Sequence, residues 1–225
     1  MENHPMRSPL VFAAILIVLQ FASISIVRSQ TSYPKITKGK PVALFNGKNL
    51  DGWEGDPKSF RVQDGAIIGG SLDHDVPRNE FLCTHDQYGD FELKLRFKLI
   101  GTTANGGIQI RSQRVPNNNE VCGYQADLGD GYWGSLYDES RRNRTLIKPS
   151  DEVINNVLKR DQWNDYTIRC VGKRIQLWIT GTMTVDYSEE DASLPQTGII
   201  GLQIHGGKAS ECWYKNIVLT PLRLR

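Results

Sequence analysis

Three short stretches each place two polar residues two positions apart inside an apolar run. "GGIQIRSQ" (106–113) carries Gln109 and Arg111, "CGYQADLG" (122–129) carries Gln125 and Asp127, and "GIIGLQIHGG" (198–207) carries Gln203 and His205. Alternate side chains of a β-strand share a face, so each pair should lie together. Ile108 and Ile110, Tyr124 and Ala126, and Leu202 and Ile204 then point the other way. A sheet with one face in the core and the other lining a groove gives this pattern. His205 is the candidate base or metal ligand, because imidazole suits both roles near neutral pH. Asp127 is expected to orient it or to share a divalent metal with it. Arg111 can steady a developing negative charge. Gln109, Gln125 and Gln203 can hold hydroxyls.

The segment after Asp127, "DGYWGSLYDESRRNRTL" (130–146), adds Tyr132, Trp133, Asp138, Glu139, Arg141 and Arg142. It reads as a loop. Aromatic platforms beside carboxylates and guanidiniums suit sugar faces and hydroxyls. These six residues are therefore candidate substrate contacts.

The elements that must position these groups are almost wholly β. Strands are expected at 42–45, 60–63, 66–70, 80–84, 90–99, 106–112, 122–128, 164–171, 174–180, 183–187, 198–205 and 211–219. "DFELKLRFKL" (90–99) alternates Phe91, Leu93, Leu95, Phe97 and Leu99 with Glu92, Lys94, Arg96 and Lys98, the signature of a half-buried antiparallel strand. One helix is expected after Ser150, a capping residue. Asp151 and Glu152 would sit in its first turn and Val153, Ile154, Val157 and Leu158 on its apolar stripe. The whole is an all-β fold: a two-sheet antiparallel sandwich or jelly roll of the concanavalin A-like type, with one short helix.

Arg7 precedes an apolar run, Leu10 to Leu19, which has the length of a signal-peptide core and is short for a membrane span. Val27 and Ser29 suit a cleavage site, so residues 1–29 read as a signal peptide and 30–41 as a short lead-in. The domain follows at 42–221. The product would be exported, periplasmic or secreted, with no stable membrane span after cleavage. A net charge of +2 gives no electrostatic case for nucleic acid. Cys83, Cys122, Cys170 and Cys212 lack CxxC spacing, which disfavours a finger-type zinc site. They permit two disulfides or buried free thiols.

"LFNGKNLDGWE" (44–54), "NGGIQIRSQ" (105–113), "GYQADLG" (123–129), "WNDYTIRCVGKRIQLWITG" (163–181), "GIIGLQIHGG" and "WYKNIVL" (213–219) together resemble the 3-keto-disaccharide hydrolase domain family, formerly domain of unknown function 1080. The resemblance covers residues 42 to 220 in order. It implies a concanavalin-like sandwich and an exported protein that acts on a small carbohydrate already oxidised at C3. Where the family often has Asn-Ser-Gly-Ile, this chain has Asn105-Gly106-Gly107-Ile108, which is expected to remove a hydroxyl near the groove. A C3 ketone acidifies the C2 proton, so a base can remove it, the C1 substituent can leave, and water can add back. That chemistry needs a base, an acid and a positive group or metal at the enolate oxygen. One alternative is a non-catalytic carbohydrate-binding module on the same sandwich. An ordinary two-carboxylate glycosidase is disfavoured, because no strand carries alternating acidic residues of the Glu-x-Asp-x-x-Glu kind.

Overall fold

Alternating apolar residues in many short runs leave two sheets facing each other across one core. The computed structural model describes Met1 and residues 36–224. Apart from Met1, the expected signal segment lies outside the described residues, as does the lead-in before residue 36. The front sheet runs, in spatial order, β11 (Arg144–Ile147), β10 (Leu136–Glu139), β9 (Val121–Gly129), β8 (Asn105–Arg114), β15 (Ile199–Ile204), β6 (Glu80–Thr84) and β3 (Trp53–Glu54). The back sheet runs β14 (Thr182–Ser188), β13 (Arg174–Ile179), β12 (Asn164–Val171), β7 (Phe91–Ile100), β16 (Ser210–Leu224), β5 (Ala66–Ser71) and β4 (Phe60–Gln63). Two short strands, β1 (Ile36–Lys38) and β2 (Val42–Ala43), add to β16. The pairings along both sheets are antiparallel.

β7 keeps the alternation read from its sequence. Phe91, Leu93, Leu95, Phe97 and Leu99 are buried, while Lys94, Arg96 and Lys98 face outward. From the front sheet, Ile108, Ile110, Tyr124, Ala126, Leu128, Leu202 and Ile204 complete the same core. Burying such side chains stabilises by about 1.5–3 kcal/mol each, which holds the two sheets in fixed register.

The helix α1 (Asp151–Val157) forms where its capping signals place it. Ser150 Oγ accepts from Val153 N at 3.3 Å, and Leu158 ends the helix. The span expected as a loop is a hairpin instead. After a turn at 130–135, β10 and β11 extend the front sheet, joined by a turn in which Ser140 and Asn143 adopt positive φ. The polar run of Asp138 to Arg144 hides this strand pair, because the inward Asp138 is neutralised by Arg141 and Arg142 of the same run rather than by solvent. All four cysteines are free thiols. Cys170 and Cys212 lie in the core, and burial pushes both thiols up to about 12.

Candidate active site

On the outer face of the front sheet, β8, β9, β10 and β15 build a polar floor. Ser112 Oγ donates to Gln109 Oε1 (2.7 Å), Gln109 Nε2 to Gln125 Oε1 (2.5 Å), and Gln125 Nε2 to Asp127 Oδ1 (3.1 Å). These side chains cross from strand to strand because β8 and β9 pair Gln109 with Gln125 and Gly107 with Asp127. Gly107 makes the crossing possible, since a Cβ there would stand 2.6 Å from Cγ and Cδ of Gln125. Gly106 points the other way. A Cβ on it would meet Cys212 Sγ and the Gln203 carbonyl, so the missing serine hydroxyl would have faced the core and not the groove.

Above this floor lies a pocket of about 250 Å³, lined by Asn105, Gln125, Asp127, Tyr132, Tyr137, Glu139 and His205. It thus brings together both residues of the expected pair on β9, His205 of the pair on β15, and Tyr132, Tyr137 and Glu139 of the 130–146 segment. His205 is exposed, just beyond the end of β15. Its backbone N–H donates to the Asn105 carbonyl (3.0 Å) and its Nδ1 lies 2.7 Å from the Gly206 carbonyl. A proton on Nδ1 satisfies that carbonyl and leaves the Nε2 lone pair available. Asp127 is buried, and burial raises its carboxyl from 3.8 to about 8 against the opposing hydrogen bonds from Gln125 and the Leu128 N–H. Both bonds fall on Oδ1, so Oδ2 can carry the proton that Asp127 keeps at neutral pH. Glu139 is also raised, by burial and then by the negative charge of Glu120. Glu120, at the end of the β8–β9 connection, is raised chiefly by its own burial. Gln203 is fully buried beside Glu139, and neither its Oε1 nor its Nε2 has a hydrogen-bond partner among the described residues.

Four expected site residues lie elsewhere, and one more faces a different cleft. Arg111 sits at φ 49° in a bulge, where the β8–β9 register shifts between Ile110 and Gln113. The bulge breaks the two-residue parity with Gln109 and turns the guanidinium inward. There it donates to Asp90 Oδ1 (2.8 Å), the Gly89 carbonyl (3.0 Å) and the Gly172 carbonyl (2.6 Å), tying the two sheets together. Asp138 shares the inward face of β10 with Leu136, and both are fully buried. Arg141 Nε donates to Asp138 Oδ1 (2.8 Å), Arg142 Nε donates to Asp138 Oδ2, and Arg142 Nη2 donates to Glu189 Oε2 (2.8 Å). Both guanidiniums cover the Tyr124 ring. Asp138, Arg141 and Arg142 therefore form an internal ion cluster at the sandwich edge, not a sugar-binding loop. Trp133 stacks on Phe97, donates to Asp130 (2.9 Å) and is capped by Arg160. It lines a separate cleft of about 420 Å³ with Lys148 and Asn155.

Among the described residues no group of three or more His, Cys, Asp or Glu is gathered to hold a metal ion, so His205 and Asp127 lack a third such ligand. A larger cleft, about 580 Å³, lies beside β4 and β5. Its buried carboxylate, Glu211, is already engaged by Arg61 and by the Trp213 indole, and its imidazole, His74, lies with Asp73 and Asp75 in the segment after β5. Asn105 and Glu120 were not singled out from sequence. Asn105 has the parity of Gly107 and Gln109 and could have been found by extending β8 one residue. Glu120 reaches the site only through the path of the connection, which no local pattern records.

Fold and site together define a two-sheet antiparallel sandwich with a small polar pocket on its outer face. The profile of the 3-keto-alpha-glucoside-1,2-lyase-like domain family matches residues 40–220, and the chain belongs to that family. A comparison with curated proteins finds no match. Among solved structures, a protein of Parabacteroides distasonis ATCC 8503 described as a candidate glycosyl hydrolase is 22% identical, with 81% of this chain and 100% of that one covered and a TM-score of 0.60. The carbohydrate-binding module CBM66 of Bacillus subtilis is 12% identical, over 75% and 95%, at 0.56. A Bacillus subtilis protein with a galectin-like fold is 9% identical, over 85% and 100%, at 0.59. These likenesses establish the shared sandwich.

Proposed function

We propose that this pocket cleaves the glycosidic bond of a 3-keto-glycoside by removing the C2 proton. The observation that carries the reading is the meeting, in one pocket, of the exposed His205 imidazole and the Asp127 carboxyl, whose burial favours its protonated form. His205 Nε2 takes the C2 proton. The electron pair of the C2–H bond shifts toward the ketone, and the proton of Asp127 supports the enolate oxygen, as a neutral carboxylic acid in a dry site can. This replaces Arg111, expected in that role and committed to Asp90 and two carbonyls. The enolate then expels the C1 oxygen, which recovers a proton from the imidazolium, and a 1,2-unsaturated 3-keto sugar remains. Water adds across that double bond to complete net hydrolysis. Asn105, Gln125 and Glu139 are placed to hold ring hydroxyls, and Tyr132 and Tyr137, 6.4 Å apart and edge-on, flank the mouth. The protein is proposed to act after export.

Incubation with a disaccharide and its 3-keto form in D₂O tests this. Only the keto form should be cleaved, and recovered substrate or product should carry deuterium at C2. Equal cleavage of both forms, or cleavage without exchange at C2, overturns it. The second reading is a sugar-binding module, favoured by the likeness to CBM66 and by the exposed Tyr132 at the rim. Tight binding of the unoxidised sugar with no turnover of either form would select it.

A further inference from the structure

We propose that the pocket selects glycosides that carry an ammonium group, so that its substrate class is the aminodeoxy sugars. The proposal rests on the reading of this pocket as the sugar site and deepens it.

Charge is the first observation. Glu80, Glu92, Asp138, Glu189 and Glu211 are buried, and each is paired with an arginine. Asp127 is the one buried carboxyl among the described residues with no arginine or lysine partner, and the half-buried Glu120 and Glu139 have none either. No lysine or arginine lines the pocket. Burial and then the charge of Glu120 raise Glu139, and burial chiefly raises Glu120. His205 is the basic group that offsets both, and the proposed reaction begins with that imidazole neutral.

The second observation is a set of polar atoms that the fold leaves open. Gln203 is fully buried with neither amide atom hydrogen-bonded, and the buried Oε2 of Glu120 also has no partner among the described residues. The register sets Gln203 opposite Gly107, and Gly107 opposite Asp127. The open amide therefore lies on the pocket's face of the sheet, beside Glu139. Buried polar groups without partners are costly, so a site that keeps them is completed by a ligand. Two of the three open atoms are acceptors, and an ammonium offers three N–H donors and no acceptor. The third observation is at the mouth. Tyr132 and Tyr137 meet edge-on at 6.4 Å with no cation over either ring among the described residues, whereas Tyr124 and Trp133 are each covered by arginine. Open aromatic faces beside carboxylates are a setting that holds ammonium groups. Glu139, placed to take a ring substituent, is the carboxylate that meets the amine.

The same features separate an ammonium from its rivals. A calcium ion takes six to eight oxygen ligands, and no three His, Cys, Asp or Glu are gathered for a metal among the described residues. A neutral sugar can bond the open amide but leaves the charge unopposed, and a uronate or sugar phosphate adds to that charge.

Calorimetric titration of the full chain tests this, using methyl glucoside, its 2-amino-2-deoxy and 6-amino-6-deoxy forms, the N-acetylated 2-amino form and methyl glucuronide. At least one amine should bind about tenfold more tightly than methyl glucoside, and the advantage should shrink with added salt. The N-acetylated form should lose any advantage the 2-amino form shows. In Glu120→Gln/Glu139→Gln the ratio of the two affinities should fall to near one. Amines that bind no more tightly than methyl glucoside, tighter binding of the glucuronide, or a ratio unchanged in the double variant would overturn the proposal. These ligands carry no ketone and are not turned over, so C2 exchange of the 3-keto substrate in D₂O judges the chemistry separately.

Discussion

His205 and Arg111 looked alike in sequence and turn out as opposites. His205 is exposed, and what holds it is mostly backbone, so His205→Ala should leave the melting temperature within a degree or two. Turnover should fall about 10²–10⁴-fold, the usual contribution of a general base. Arg111 is buried across the sheet junction with Asp90 and two carbonyls. Removing one partner of such a pair strands the other, at a cost of about 3 kcal/mol. Arg111→Ala should therefore lower stability in urea titrations while activity per folded molecule stays near normal. A loss of turnover in Arg111→Ala that exceeds the loss of folded protein would return that residue to the site. Asp127→Asn keeps the acceptor for Gln125 and Leu128 but removes the acidic proton. Its turnover should drop, and the fall in rate expected of the parent above about pH 8 should be absent from its pH profile.

At the scale of elements, the same comparison shows what the sequence reveals and where it stops. Period-two patterning is legible wherever one face is apolar and the strand is regular, as in β7, β9 and β15. The parity of Gln125, Asp127 and Gln203 followed from it directly. It fails at a bulge, because one extra residue reverses every later side chain and no residue type in "GGIQIRSQ" announces it. It fails again in β10, where Asp138 points inward. A charge on the inner face is stable only because Arg141 and Arg142 lie three and four residues on, a pairing that looks like surface in a sequence. Asp138→Ala should leave two arginines and the Tyr124–Glu189 contact unbalanced and cost about 3 kcal/mol. The damage should be local: hydrogen exchange should rise first in β10 and β11, with β7 and β16 still protected. Uniform loss of protection would show instead that this edge is no weaker than the core.

At the scale of the whole molecule, buried carboxyls of opposite bias set how stability varies with pH. Asp127 is held at about 8 by burial, above its ordinary 3.8. The folded state therefore keeps a proton that the unfolded chain loses, and the stability this group lends declines from about pH 4 to pH 8 and is flat beyond. Glu189 is opposite. Burial alone would raise it, but hydrogen bonds from Arg142, Tyr124, the Asp191 N–H and Tyr187 hold it at about 2, below 4.5. Its contribution is complete above about pH 4.5 and is lost as pH falls toward 2. Linkage then places the stability maximum in mild acid, near pH 4–5, with a decline toward neutrality caused by a residue that the proposed reaction needs protonated. Urea unfolding from pH 3 to 9 should show this maximum. Asp127→Asn should flatten the limb between pH 4 and 8 and raise stability at pH 8, while Glu189→Gln should flatten the limb below pH 4.5. A parent protein whose stability rises steadily from pH 4 to 8 would mean that Asp127 is ionised in the folded state, and the proton assigned to it in the pocket would have to come from another group.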